Sequence, residues 1–227
     1  MLRKFEDLPL EMQNDSVKEY YEVLSQRRIG LLMKRIFDIV VSLIMLLLIW
    51  PIMLILAIII KIDSEGPVFF RQERVTQYGR RFRIYKFRTM VNNADKIGTL
   101  VTTNNDSRVT KVGAVIRKTR IDEIPQLLNI LLGDMTFVGT RPEVVKYVDK
   151  YTDEMRATLL LPAGVTSLAS IYYKDEDKLL SDASDADRTY IDQILPEKMK
   201  YNLRAIKDFS FWGDIKTMIM TVVAVIK

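Results

Sequence analysis

Residues 39–60 read IVVSLIMLLLIWPIMLILAIII, 22 positions without one charge. A helix of that length covers the roughly 30 Å hydrocarbon core of a bilayer, so the block predicts a membrane helix. It starts too far from Met1, runs too long and lacks a small-residue cleavage site after it, and so does not read as a cleaved signal peptide. Both flanks are basic, with Arg27, Arg28, Lys34 and Arg35 before it and Lys61, Arg71, Arg74, Arg80, Arg81 and Arg83 after it. Positive residues stay on the cytoplasmic side, so a simple crossing leaves one basic flank on the wrong side. Trp50 and Pro51 stand near the middle of the block, where the proline removes a backbone hydrogen bond and favours a kink. Two readings stay open: a re-entrant helix that dips in, bends at Pro51 and returns, and an ordinary span with a tolerated proline.

Around this block the composition is that of a folded domain. The chain has 227 residues, 48% hydrophobic and 28% charged, which suits one catalytic unit. Its 34 Lys plus Arg outnumber 29 Asp plus Glu, a balance that fits an anionic membrane surface, phosphorylated ligands or nucleic acid. There is no Cys and no His. Disulfides, thiolate nucleophiles, Cys/His zinc sites and imidazole bases are therefore excluded, and acid–base work falls to carboxylates, Lys, Tyr or water. A metal would need oxygen ligands, which points to Mg2+ or Mn2+ beside phosphate.

Residues 1–29 carry scattered charge and aromatics, with a short helix expected over 16–24, and read as an appendage without visible chemistry. After the block, Gly66-Pro67 marks a turn; residues 68–75 and 82–87 read as two strands joined around Tyr78-Gly79. This hairpin carries Arg71, Arg74, Arg81, Arg83, Lys86 and Arg88, a charge run that also suits a solvated or headgroup-facing edge. A polar loop is expected over 92–110. In RIDEIPQLLNILLGDM, Ile124, Leu127, Leu128 and Leu131 mark an amphipathic helix with Asp122 and Glu123 at its start and Pro125 in its first turn. Such a pair is more often a helix cap and a first-turn acid than an active site. Gly139-Thr140-Arg141-Pro142 forms a loop whose arginine fork could grip a phosphate. Residues 190–227 read as two helices broken near Phe211-Trp212-Gly213, and 218–226 are apolar enough to lie on a membrane but too short to cross it. No repeat and no GxxxxGK[ST] phosphate loop occurs, which removes the main support for a nucleotide hydrolase.

From about Lys34 to the C-terminus the motifs resemble the bacterial sugar transferases, the small monotopic phosphoglycosyl transferases that initiate capsule, exopolysaccharide and glycan assembly. The resemblance is carried by KRIFDIVVS, the proline-broken helix, GPVFFRQERV, YKFRTM, RKTRIDEIPQLLNILLGDM, VGTRPE, LPAGVTSLAS and FSFWGDIK, in that order and spacing. It implies an α+β fold: an N-terminal appendage over 1–33, a re-entrant membrane helix over 34–61 broken at Trp50-Pro51, and a cytoplasmic catalytic domain over 62–227 with interfacial helices. It further implies a place at the bacterial inner membrane, with the active site on its cytoplasmic face. The implied reaction moves a sugar 1-phosphate from a UDP-sugar to undecaprenyl phosphate and releases UMP through an aspartyl phosphosugar.

The same resemblance makes Asp122 the nucleophile and Glu123 its catalytic partner, with Mg2+ as cofactor and Glu123 and Asp214 as candidate ligands. Lys86 and Arg88 of YKFRTM, Arg117 before the dyad, and Arg141 and Pro142 of the loop become substrate-binding candidates. Two positions depart from the family pattern. Its helix break is commonly Ser-Pro, where this chain has Trp50-Pro51, and an indole N–H donates but cannot accept. Many members carry an arginine after the LPG-[IV]-T-G stretch, where this chain has SIYYKDED and offers Lys174. The expected partners are the two substrates and membrane lipids, with a homo-oligomer left open. Two rival readings remain: a single-span membrane-anchored basic adaptor without activity, and a nucleic-acid module. The second is set aside, because the hairpin aromatics Phe69, Phe70, Phe82, Tyr85 and Phe87 mostly suit strand cores and no nucleic-acid motif accompanies them.

Overall fold

In a computed structural model that describes residues 2–94, 106–173 and 185–226, helix α1 (Asp15–Ser25) leads into α2 (Arg28–Asp63), one long helix containing the whole apolar block. Asn14 caps α1 by accepting from the Val17 amide at 2.9 Å. The helical backbone of α2 runs through Pro51; in its middle Met45, Leu46, Met53 and Leu56 pack on the core, while the opposite face is bare, with Leu47, Leu48 and Trp50 each more than half exposed. Apolar surface of that extent calls for lipid or another partner. It is the one helix, among the described residues, long and apolar enough to cross a membrane.

The basic hairpin forms with its ladder split in two. Strand β1 (Phe69–Phe70) pairs antiparallel with β4 (Lys86–Phe87), and β2 (Glu73–Val75) with β3 (Arg81–Arg83), around a 3-10 turn in which Tyr78 and Gly79 take positive φ. The split has a cause outside the hairpin. The Asn129 amide takes over the ladder groups at the gap, accepting from the Tyr85 amide at 2.8 Å and donating to the Arg83 carbonyl at 3.1 Å.

Asn129 belongs to α4 (Gln126–Leu132), which follows α3 (Lys111–Lys118). The leucine stripe expected on α4 is only half correct. Leu127 and Ile130 are its buried apolar residues, and Gln126 and Asn129 are buried beside them. Strand β5 (Met135–Val138) then pairs in parallel with β6 (Ala163–Thr166), and between them run the loop with Arg141 and Pro142, the short α5 (Val145–Val148) and a 3-10 segment (Met155–Leu160). Where the strands meet, a Cβ on Gly164 would lie 2.2 Å from both the nitrogen and the oxygen of Gly139. Backbone packs directly on backbone there, leaving the loop little room to shift.

The chain ends with α6 (Leu168–Tyr172), α7 (Ala186–Thr189), α8 (Leu195–Lys207) and α9 (Phe211–Ile226). The break expected at 211–213 falls at 208–210, because Ser210 accepts from the Gly213 amide at 3.0 Å and starts the last helix. The N-terminal segment does not stand apart as an appendage. Leu8, Met12, Val17, Tyr20 and Leu24 share the largest core cluster with Leu160, Met199 and Ile206, because their helical spacing gives them an apolar face to bury. Most of the loop expected over 92–110, and Lys174, lie outside the described residues.

Candidate active site

Asp122 and Glu123 lie on a 3-10 turn, Ile121–Glu123, between α3 and α4. The turn exists because Arg120 adopts the left-handed conformation, φ 54°, which stops α3 and reverses the chain. That conformation costs a non-glycine residue about 1 kcal/mol or more, so packing must hold it. Ile121 packs against the cluster that holds Ile60, Phe87 and Ile116, and Ile124 against the cluster that holds Leu127, Ile130 and Met135. The two acids are thereby pinned between separate apolar clusters. Neither caps α4, whose first turn has no side-chain cap, so the commoner reading of a DE pair does not apply.

Two cations converge on Glu123. Lys86 Nζ from β4 and an Arg141 terminal nitrogen from the β5–β6 connection each lie 2.7 Å from Glu123 Oε1. Asn129 sets the first of these, because its grip on Tyr85 and Arg83 fixes the strand just before Lys86. The second follows from Arg74, which donates to the Pro142 carbonyl at 3.0 Å while the Val75 amide donates to the Glu143 carbonyl.

These neighbours push the two carboxyls apart. Burial raises the Asp122 carboxyl above the ordinary aspartate value, with Glu123 adding to the rise and Lys86, Arg117 and Arg141 opposing it. Burial would raise Glu123 as well, but Arg141 and Lys86 together outweigh it and hold that carboxyl well below the usual range. Burial also lowers the Lys86 ammonium, against the pull of Glu123. Adjacent carboxyls driven in opposite directions mark a division of roles. Among the described residues, no hydrogen bond or ion pair ties down the Asp122 carboxylate, whereas Glu123 is clamped. Asp122 is thus the acid with lone pairs to spare.

The structure brings Asp122, Glu123, Lys86 and Arg141 together, with Arg117 near enough to act on Asp122 through its charge. Pro142 is buried beside them, its carbonyl held by Arg74. Arg88 is not in this cluster. It is 5% exposed and donates to the carbonyls of Ile60, Ser64 and Glu65, where a guanidinium both satisfies the last turn of α2 and complements its dipole. Its place as a substrate ligand is therefore corrected to a helix C-cap. Asp214 pairs with Lys34 at 2.5 Å. Trp50 and Pro51 lie on the bare face of α2.

Among the described residues no group of three or more acids gathers as a ready-made metal cage. Mg2+ does not need one, since it is commonly held by one or two carboxylates together with substrate phosphates. The hard oxygens of the Asp122-Glu123 pair fit that requirement. Asn129 and Gln126 were not legible as site residues, though two amides on one face of a leucine-rich helix are a readable oddity. Gln126, 1% exposed at the first position of α4, keeps its Nε2 without a partner.

Residues 29–227 match the family described as bacterial sugar transferase. Over 192 residues the chain is 39% identical to the UDP-N-acetylgalactosamine-undecaprenyl-phosphate N-acetylgalactosaminephosphotransferase of Aeromonas hydrophila, a match covering 83% of this chain and 42% of that protein. Over 200 residues it is 36% identical to the UDP-glucose:undecaprenyl-phosphate glucose-1-phosphate transferase of Klebsiella pneumoniae, covering 86% and 40%. A Caulobacter vibrioides protein of that same description is 34% identical over 194 residues, covering 84% and 68%. The chain therefore spans less than half the length of the first two relatives.

Proposed function

The chain belongs to the bacterial sugar transferase family, and from that premise we propose that it transfers a sugar 1-phosphate from a UDP-sugar to undecaprenyl phosphate, with Asp122 as nucleophile. The observation that carries this reading is the adjacent pair on one strained turn, one carboxyl raised and unclamped, the other depressed between Lys86 and Arg141. A pyrophosphate resists nucleophiles through its own negative charge, so cations at the site are the first requirement. Lys86, Arg141 and Arg117 meet it, and Arg141 can offer a planar fork to two oxygens.

In the first step an Asp122 oxygen bonds to the phosphorus attached to the sugar, and the bond from that phosphorus to the bridging oxygen breaks, releasing UMP. In the second, an oxygen of undecaprenyl phosphate attacks the same phosphorus and expels the Asp122 carboxylate. Two easier displacements replace one difficult one. Glu123 would hold Mg2+, which would supply charge neutralisation for the donor's phosphates. Relatives named for N-acetylgalactosamine and for glucose both support the reaction class.

Packing of α2 supports the re-entrant reading over a single-span adaptor. Near its start, Arg35 donates to the carbonyls of Ile130 and Leu131 on α4. At its end, Ile60 packs with Phe87 and Ile116, and Asp63 accepts from the Val112 amide. One folded body packs on both ends of α2, and on Met45, Leu46, Met53 and Leu56 between them, which favours both ends lying on the same side of a bilayer. Since the chain has no cysteine, Ile29→Cys and Ile62→Cys, at 77% and 81% exposed positions, report topology cleanly. Both should be labelled from the cytoplasmic side, and labelling from opposite sides would overturn the re-entrant form. Pro51→Ala should let a fraction of molecules span.

The activity itself is tested with the purified full chain, a panel of UDP-sugars and undecaprenyl phosphate, by measuring UMP. Release with one sugar, abolished by EDTA and restored by Mg2+, is the expected result. No release with any sugar would overturn the transferase reading.

A further inference from the structure

On α2, Lys34, Asp38 and Ser42 stand at i, i+4 and i+8, and are 7%, 3% and 0% exposed. That spacing puts all three on one face. The upper part of the face grips β5 at three consecutive residues. Asp38 Oδ2 accepts from Thr136 Oγ1 at 2.7 Å, Asp38 Oδ1 accepts from the Phe137 amide at 3.1 Å, and Lys34 Nζ donates to the Val138 carbonyl at 2.7 Å. From its other side Lys34 is paired at 2.5 Å with Asp214 of α9, and Phe37 sets its ring edge against both Phe137 and Phe211. Val138 ends β5, and only Gly139 and Thr140 separate it from Arg141.

We infer that Lys34 is a positioning residue: with Asp38 and Asp214 it fixes the exit of β5 and so places Arg141 against Glu123, tying the seat of the membrane helix to the catalytic pair. The stretch between Val138 and Arg141 transmits position because it has no slack. The Gly139 amide donates to the Thr166 carbonyl at 2.9 Å, the Gly164 amide to the Thr140 carbonyl at 2.8 Å, and the two glycines touch backbone to backbone. A displacement at the Val138 carbonyl therefore passes to Arg141. The charges favour the same arrangement, since one buried ammonium sits between two carboxylates that would otherwise repel each other. Asp214 in this role serves Lys34 and not a metal ion.

The inference rests on the reading of Asp122 and Glu123 as the active site, so its test includes a measurement that needs no activity. In hydrogen exchange on the full chain in detergent, Lys34→Gln should speed exchange of the peptide over residues 135–143 by about tenfold and leave α1 unchanged. Unchanged exchange at 135–143 would overturn the proposal, and faster exchange in a chain inactive with every UDP-sugar would uphold it while the functional reading fails. In turnover, Lys34→Gln should lower kcat about tenfold in the wild-type background but less than about twofold when Arg141 is already Gln, because coupled residues are not additive. Equal losses in both backgrounds would mean a general loss of packing and sink the idea. Lys34→Arg, which keeps the cation, should retain most of the activity. Asp214→Asn should lower kcat with the apparent Mg2+ affinity unchanged, and a weakened Mg2+ affinity would return Asp214 to the metal. If Lys34→Gln does not fold, the exchange and Mg2+ measurements on Asp214→Asn decide the matter alone.

Discussion

Asp122→Asn is expected to lower turnover by at least about a thousandfold, because an amide cannot form the acyl phosphate that the two-step route requires. The wild-type chain given UDP-sugar without lipid should release about one UMP per active site and gain the mass of a phosphosugar, the burst expected of covalent catalysis. The Asn variant should show neither signal. Direct attack by the lipid phosphate would give no UMP until both substrates are present, which would overturn the covalent route and leave the transferase reading standing. The pH profile gives a second check. On the proposed route Asp122 attacks as the carboxylate, and burial raises its carboxyl, so kcat/KM should fall with acid at a pH above the ordinary aspartate value of about 3.9. Lys86 opposes that rise, so Lys86→Met should move the acid limb to still higher pH.

Glu123→Gln is expected to lose both activity and stability. Its carboxylate answers two cations, and the side chains of Glu123, Lys86 and Arg141 are 16%, 20% and 36% exposed. Removing one partner of a fully buried pair costs several kcal/mol; with this much solvent at the site the loss should be about 2 kcal/mol, read as a fall in apparent Tm of several degrees. The pH dependence has a definite sign. Glu123 has a folded pKa below its unfolded value, so its contribution is complete above about pH 4.3 and is lost as pH falls towards the folded pKa. Measured in EDTA, the Tm gap between wild type and Glu123→Gln should be full at pH 7 and narrow progressively below pH 4.3. A gap that stays constant into acid would show that Glu123 contributes by packing and not by charge.

Much of the site was legible in short motifs, and the rest was hidden for identifiable reasons. Arg88 and Lys86 lie two residues apart in the same YKFRTM motif, and nothing in their chemistry separates them. Only the fold shows that Lys86 turns to Glu123 while Arg88 turns back to the end of α2. Asn129 is one polar residue in a leucine-rich helix. Its role depends on Arg83 and Tyr85, more than forty positions away, and no local pattern carries that information. The packing of the N-terminal segment into the main core is not legible locally, because an amphipathic helix shows that it has a face to bury but not where the partner lies.

By itself the sequence determined the long apolar helix, the hairpin, the helices around the dyad and the chemistry excluded by the absence of Cys and His. These follow from local causes: unbroken apolarity over a bilayer's thickness, alternation and turn residues, and the inventory of side-chain groups. The tertiary structure alone decided which cations meet Glu123, which carboxyl is raised and which depressed, and that Lys34 and Asp38 bind β5 in place of solvent or lipid. Those outcomes depend on burial and on distances of a few ångströms between residues far apart in the chain, since Coulomb energy and desolvation are set by the spatial neighbours of a charge and not by its neighbours in sequence.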